Sequence, residues 1–590
     1  MAYIILATWW TLPLYVALLY LGVTRQRLET NNLYDTYLPK EWTDMNTTCD
    51  GVNVAARTLS GVCNSLEVPA MGSVGTRFSR FVPINKTFGE TTTLFTPNPR
   101  TISQHLFKRQ SFTPATSINL LAAAWIQFQT HDWFSHGAEN DPNNLLVFQL
   151  PRDDPLRTQG QTNMTLRRTI RQVHQDGRPD TYNNHVSSWW DLSMVYGEDE
   201  ETHAKLRSFT NGKMKVEDDN LIPVDPVSGL DLTGFNDNWW AGLSLLTNIW
   251  VREHNLVCDM LKNNNPNWSD QEIFDHARLI TTALNAKIHT VEWTPALLAN
   301  DILKNAMNAN WFGLAPEWLK AIPDPNLSQQ ISEAWYGIIG GKPNFAGVNF
   351  AHSEEFVSVY RFHSLLRDNI TIRRHTDGSS TGNTYNISQY AFRNAQNVIR
   401  GNDFADVAYT FGVDNPGALI LNNYPAEMMS LNKPGAPYTL DMGAVDVLRD
   451  RERGVPRYNE FRRLFSLIPA KTMDDISDDK AAVAALRSVY GENVESVDLL
   501  AGSLAESPRA TGFAFSNTQF QAFILAASRR LLTDRFFTTD YTAAVASRPY
   551  TQQGLDYIGK SDFRAVIGRT IPALNQTVHS VDNAFKPWVV

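Results

Sequence analysis

WAGLSLLTNIWVREHNLVCDML, residues 240–261, decides the fold class. Its apolar residues fall at Leu243, Leu246, Ile249 and Trp250, then Val257 and Leu261, the three- and four-residue steps of one helical face. Working outward, the same spacing predicts helices over 117–137, 271–290, 351–367, 386–400, 480–490 and 517–535. Strand alternation is scarce, no repeat occurs, and no Ser/Gly linker interrupts the chain after residue 116. The expected architecture is mainly α-helical: one large domain over 116–590, preceded by an irregular arm over 29–115 rich in Thr, Asn, Pro and Gly, and by an apolar N-terminal segment over 1–28.

That segment holds an apolar run, residues 3–22, close to the ~20 residues a membrane span requires. Thr8, Thr11 and Pro13 interrupt it, and no basic region precedes it. A signal anchor, an interfacial helix and a helix packed on the body all suit such a run. Pro13 and the Trp and Tyr content favour the last two, so the chain is expected to associate with a membrane surface without spanning it.

Composition narrows the chemistry. Of 590 residues, 43% are hydrophobic and 19% charged, enough to bury a large core. The net charge of −9 offers no basic face for nucleic acid. Three cysteines, Cys49, Cys63 and Cys258, allow at most one bridge, with Cys49–Cys63 the candidate, and exclude a Cys₄ zinc site. Metal chemistry must therefore rest on His and oxygen ligands.

Three constellations could supply it. In WIQFQTHDW, residues 125–133, Gln127 and His131 stand four apart on one helical face, a polar spot in an oily setting suited to a bound peroxide or water. In VSVYRFHSLL, residues 357–366, Tyr360 and His363 share a face at three-residue spacing. If His363 ligates an iron, Tyr360 lies near the metal but displaced from it, where haem could oxidise it to a phenoxyl radical. In SSWWDLS, residues 187–193, alternate residues could wrap oxygens around Ca²⁺, with Asp132 adding a carboxylate from another element. Taken singly, each group would equally suit ordinary packing or a capped turn.

Together with PAMGSVGTRFSR, AKIHTVEWTPALL, LNNYP and LRDRERGVPRYNEFRR, these segments resemble the haem-containing animal peroxidase and cyclooxygenase superfamily, and more closely its fatty-acid α-dioxygenase branch. The likeness covers nearly the whole chain, and RERGVPRYNEFRR is similar to the superfamily's Arg-rich signature. The resemblance implies His131 as the distal haem histidine with Gln127 beside it, His363 as the proximal ligand, and Asn423 as the partner of its other ring nitrogen. It implies Tyr360 as the radical tyrosine. Asp132, Ser187, Trp189 (through its carbonyl), Asp191 and Ser193 would form a calcium site. His289, Thr294 and Arg530 would bind the fatty-acid carboxylate, with Arg529 and Arg535 as competing choices for the arginine.

The chain departs from the peroxidases of the superfamily where they attach haem covalently: Thr130 replaces the Asp before the distal His, and the second ester carboxylate is not evident in Asn236–Trp240. No distal Arg is evident either. The resemblance thus implies non-covalent haem b, Ca²⁺, and a monomeric enzyme activated by hydrogen peroxide. Tyr360 would take hydrogen from the α-carbon of a long-chain fatty acid, and O₂ would add there to give a 2-hydroperoxy acid. The alternatives on the same fold are mid-chain dioxygenation and simple peroxidase activity.

Overall fold

The computed structural model describes residues 8–138, 141, 143–316, 320, 327–432, 439–510, 512–543 and 550–589. At its centre lies α2 (Leu120–Trp133), well downstream of the N-terminal helix α1 (Leu14–Asn31). Every residue of α2 is buried except Gln127 and Thr130. A helix apolar all round belongs in the middle of a large core, and its few polar positions then line an internal space. Asn119 begins it: Oδ1 accepts from the Ala122 amide, while Nδ2 donates to the carbonyls of Gly412, Ala584 and Lys586, fastening the end of the chain to the core.

Against α2 packs α3 (Ala241–Asn264), formed as its spacing predicts, with Leu243, Leu246, Ile249, Trp250, Val257 and Leu261 all buried. Each such side chain contributes roughly 1.5–3 kcal/mol of burial. Helix α4 (Asp270–Ile288) follows behind Ser269, which exchanges capping bonds with Glu272. It packs on α3 and runs on into a wider π-helical turn over His289–Trp293. Next come α5 (Asp301–Phe312) and α6 (Gln329–Tyr336). The described strands are two antiparallel hairpins: β1 (Leu145–Gln149) with β2 (Asn163–Arg167), and β3 (Asn369–Arg373) with β4 (Ser380–Asn386). One continuous apolar core gathers residues from Trp9 to Trp588.

The region 351–367 is not the single helix its periodicity predicts. Helix α7 (Glu354–Val359) stops at Tyr360. To continue, the Val359 carbonyl would accept from the His363 amide, but the Gln519 side chain takes that carbonyl at 3.2 Å. His363 instead begins a separate 3₁₀ turn, so it and Tyr360 are not neighbours on one helical face. Further on, α8 (Met442–Glu452) gives Met442, Val445 and Arg449 to the wall of the site, and α9 (Asn517–Ala527) packs behind α7.

Residues 3–7 of the N-terminal apolar run lie outside the described residues. From Leu14, α1 lies along the body, with Ala17, Leu21, Thr24 and Leu28 buried and α5 and α9 beneath. No helix among the described residues is long and apolar enough to cross a membrane. Cys49 and Cys63 are bridged, and Cys258 is a buried free thiol.

Candidate active site

A cavity of about 380 Å³ lies between α2, segment 357–366 and α8, and Gln127, His131, Tyr360 and His363 all line it. On the α2 side, Trp240 Nε1 donates to Gln127 Oε1 at 2.8 Å, which fixes the amide orientation. The Gln127 Nε2 then donates to the Asn238 carbonyl at 3.2 Å and lies 3.5 Å from His131 Nε2. The edge of Phe235 meets the His131 ring. This is the polar spot in an apolar wall that the spacing of Gln127 and His131 suggests.

Across the cavity wall, His363 Nδ1 sits 2.8 Å from Asp446 Oδ2, and the Tyr424 hydroxyl donates to the same oxygen at 3.0 Å. Asn423 does not fill the expected role of partner. Its side-chain nitrogen donates to the carbonyls of Thr113 and Ala418, and its oxygen accepts from the Thr113 amide, so the side chain is consumed in holding a loop. Burial alone would raise the Asp446 carboxyl, but His363 and then Arg361 beside it hold it below the usual range. A carboxylate accepting from Nδ1–H leaves Nε2 as a basic lone pair, the arrangement a metal-ligating histidine needs.

Tyr360 stands in an aromatic cage. Phe356, Phe362, Trp133 and Phe515 lie at ring distances of 4.4, 5.1, 5.9 and 6.0 Å. Burial raises its phenol well above 10, against a smaller opposing pull from Arg530, so the ring keeps its proton at any physiological pH.

Beyond Trp133 lie the candidates for a substrate headgroup. Arg530 and His289 rest on the same two indoles: the Arg530 guanidinium is 4.7 Å from the Trp133 ring and 4.3 Å from Trp190, and the His289 ring is 5.1 and 5.4 Å from them. Trp125 Nε1 donates to His289 Nδ1 at 3.2 Å, which leaves Nε2–H as a donor. Burial, then Arg530, keeps His289 neutral. Arg530 donates Nε to the Ser188 carbonyl at 3.0 Å and Nη2 to the Trp189 carbonyl at 2.6 Å, while Nη1 is buried without a partner. Burial lowers its pKa to about 9, partly offset by Asp132, so it stays charged near neutrality. Arg535 is spent on Asp540 and the Asn64 backbone; Arg529 also keeps buried unpartnered nitrogens, but it lies over Phe350 and bonds the Val348 carbonyl, so Arg530, on the indoles it shares with His289, is the arginine placed beside the other headgroup candidate. Thr294 differs from expectation: its hydroxyl donates to the His289 carbonyl at 2.9 Å, closing the wide turn rather than aiming at a ligand.

Asp132, Ser187, Asp191 and Ser193 gather on the far side of Arg530. Ser187 Oγ donates to Asp191 Oδ2 and the Ser193 amide to Asp132 Oδ1, each at 2.6 Å. Burial pushes the Asp132 carboxyl up to about 7, and its Oδ2 lacks a hydrogen bond, with Arg530 Nη2 4.0 Å away. Glu198, absent from the sequence reading, joins them: its carboxyl accepts from the Ser187 amide and is pushed up to about 8 by burial and by Asp132 and Asp191 nearby. Arg57 supplies positive charge, 3.0 Å from Asp191 and from Asp534. Trp189 offers its carbonyl to Arg530. Among the described residues, no three His, Cys, Asp or Glu side chains form a preassembled metal-binding cluster.

Sequence reasoning also missed Asp446 and the arginines of the cavity wall, Arg361, Arg449 and Arg453. Arg361 flanks Tyr360, and Arg449 and Arg453 stand inside LRDRERGVPRYNEFRR, so each carried a usable signal. Asp446 carried none, lying 83 residues from His363. Asp237 does border the cavity, so a carboxylate is present where the sequence suggested none.

The sequence model of the family "Animal haem peroxidase" matches residues 56–585. Alpha-dioxygenase PIOX of Oryza sativa is 34% identical, over 98% of this chain and 93% of that protein. Alpha-dioxygenase 2 of Arabidopsis thaliana is 32% identical over 99% and 91%. Among solved structures, a tyrosine-to-phenylalanine variant of the Oryza sativa fatty acid alpha-dioxygenase with palmitic acid superposes with a TM-score of 0.88 at 33% identity, covering 99% of this chain and 95% of that one. With the match spanning both ends of the chain and the cavity between them, the protein belongs to the animal haem peroxidase family, in its α-dioxygenase branch.

Proposed function

We propose that this enzyme is a haem-dependent fatty-acid α-dioxygenase converting long-chain acids to 2-hydroperoxy acids. The observation that carries the reading is Tyr360, which lines the cavity and contacts the Trp133 ring on which Arg530, with an unused N–H, also rests.

The residues present fit a haem. His363, with Nδ1 held by Asp446, offers Nε2 to iron, and Arg361, Arg449 and Arg453 on the cavity wall suit two propionate carboxylates. Thr130 and the absence of a matching ester pair favour a non-covalent group. Bound haem supplies the one-electron oxidation that starts the reaction, with hydrogen peroxide as activator. His131, oriented by Gln127, receives and returns the peroxide proton. Tyr360 loses an electron and its phenolic proton, and the resulting phenoxyl radical takes a hydrogen atom from the substrate. Arg530 through Nη1 and His289 through Nε2–H hold the carboxylate, which places the α-carbon rather than a mid-chain methylene within reach. O₂ adds to the carbon radical, and the peroxyl radical regains a hydrogen from Tyr360 to release the product.

Calcium suits the cluster of Asp132, Ser187, Asp191 and Ser193, with the Trp189 carbonyl and Glu198 as further oxygens. Buried carboxyls pushed up to about 7 and 8 mark a place where a divalent cation would relieve the cost of ionisation. The enzyme is read as a monomer.

Tyr360→Phe tests the mechanism. The variant is expected to bind haem with an unchanged Soret band and to lose fatty-acid oxygenation. Normal oxygenation by that variant would refute the radical role.

A further inference from the structure

Four buried polar atoms gather around one indole with no hydrogen-bond partner among the described residues. Trp133 carries the first on its own Nε1. Trp190 Nε1 and Arg530 Nη1 are the second and third, with the Trp190 ring 5.6 Å and the Arg530 guanidinium 4.7 Å from the Trp133 ring. His352 Nε2 is the fourth. Its ring lies 6.2 Å from Trp133 and stacks on Phe356 at 5.4 Å, and the residue is 4% exposed. Unpartnered polar atoms are rare in a folded interior, so a group of them marks a place built for a polar ligand. The first three are N–H groups, which only donate, and a carboxylate only accepts.

His352 is different. Its other ring nitrogen turns to the Ser188 carbonyl, the oxygen that also accepts from Arg530 Nε at 3.0 Å. With the ring proton on that side, Nε2 carries a lone pair, which repels a carboxylate unless a proton lies between them. The charged groups facing His352 are Arg530 and, more weakly, Arg529, with Asp132 beyond Arg530; the other walls are the rings of Trp133, Phe134, Phe350 and Phe356. Before substrate binds, burial and then Arg530 hold His352 well below its ordinary 6.5, so the ring is neutral. A carboxylate on Arg530 cancels the second of these causes and adds an attraction for a charged ring.

The neighbours are less suited to that proton. His289 Nδ1 already accepts from Trp125 Nε1 at 3.2 Å, so a second proton on His289 would break a bond. Asp132 faces Arg530 Nη2 at 4.0 Å, whereas the unused N–H of Arg530 is on Nη1. Protonating His352 Nε2 breaks nothing and keeps the bond to Ser188.

We propose that the fatty acid binds together with one proton, held between its carboxylate and His352 Nε2, which makes His352 a further positioning residue of the headgroup site. The inference rests on the carboxylate clamp of Arg530 and His289 proposed above. No electrons move: the substrate anion and a proton from solvent enter together, and the proton forms an N–H bond at Nε2 that is donated to a carboxylate oxygen. Affinity for the acid therefore falls as pH rises past the point where the complex loses this proton, while an ester has no such dependence.

The test is titration calorimetry of the full-length haem-loaded enzyme with laurate, under anaerobic conditions, in phosphate and in Tris. These buffers differ in ionisation enthalpy, so the two heats give the number of protons taken up. At about pH 7.5 wild type should take up about one proton per laurate and none with methyl laurate, and the Kd for laurate should rise up to roughly tenfold per unit at higher pH. His352→Gln keeps a donor for Ser188 but does not titrate. It should bind laurate about tenfold or more weakly, without proton uptake and with a flat pH profile, and should bind the ester as wild type does. Wild type that prefers laurate to its ester yet takes up no proton would overturn this inference and leave the clamp standing. Uptake that persists in His352→Gln and disappears in Asp132→Asn would also overturn it, assigning the proton to Asp132. Laurate bound no better than its ester would remove the clamp itself, and the role of His352 with it.

Discussion

Replacing Arg530 by methionine keeps the volume between Trp133 and Trp190 but removes the charge and the unpartnered Nη1. In a site this buried, depriving a carboxylate of its cationic partner costs about 2–5 kcal/mol. At ~1.4 kcal/mol per decade, kcat/KM for palmitate should fall roughly 30- to several-thousand-fold. The substitution also strips donors from the Ser188 and Trp189 carbonyls, bonded at 3.0 and 2.6 Å, so a structural loss has to be separated from a binding loss. Methyl palmitate separates them. It is the same chain without the charge, so wild type should discriminate strongly for the acid, and Arg530→Met should erase most of that discrimination while treating the ester much as wild type does. Arg530→Lys, which keeps a charge without the planar fork, should fall between. Oxygen uptake with both substrates, on haem-loaded protein with matched Soret absorbance, gives the four rates required. A variant that kept the acid-over-ester preference, or lost both activities equally, would refute the role given to Arg530.

Other consequences follow from the same contacts. Asp132 and Glu198, pushed up to about 7 and 8, hold protons in the metal-free fold that they would release on unfolding, so stability without metal declines as pH rises from the ordinary carboxylate range towards about 8. Calcium bound at the proposed cluster would displace those protons; its affinity and the thermal stabilisation it confers should both increase between pH 6 and 8, and a calcium shift independent of pH in calorimetry would contradict this cluster as the site. Asp446→Asn removes the carboxylate behind His363 and is expected to weaken haem binding roughly 10–100-fold and raise the ferric/ferrous potential, read by haem titration and spectroelectrochemistry. Gly412→Ala would place a methyl group 2.3 Å from the Trp588 ring, forcing the C-terminal segment off the core at a cost of about 1–3 kcal/mol, measurable as a lower denaturation midpoint.

The helices that fold where their periodicity places them are those whose partners are one another. The stripes at 241–264 and 270–288 bury against each other and the all-round apolar helix 120–133 against the first of them, so local spacing and tertiary packing agree. The region 351–367 breaks because of a distant competitor: Gln519 captures a carbonyl that helical spacing assigns to His363, and no local pattern in 351–367 announces it. The site divides the same way. Gln127 and His131 are legible because one helix carries both. The partner of His363 is not, because Asp446 reaches it from another helix while Asn423, named through the resemblance, spends its amide on Thr113 and Ala418. Arg530 was separable from Arg529 and Arg535 only once each guanidinium had a place in three dimensions.

The most direct measurement is the position of the oxygen in the product. Haem-loaded enzyme given palmitate and labelled O₂ should consume oxygen and form a 2-hydroperoxy acid, identified by mass spectrometry, the outcome expected of the proposed clamp in which Arg530 and His289 hold the carboxylate beside Tyr360. No uptake with palmitate together with mid-chain oxygenation of linoleate would contradict the carboxylate clamp, and with it the claim that the buried arginine sets where the radical acts.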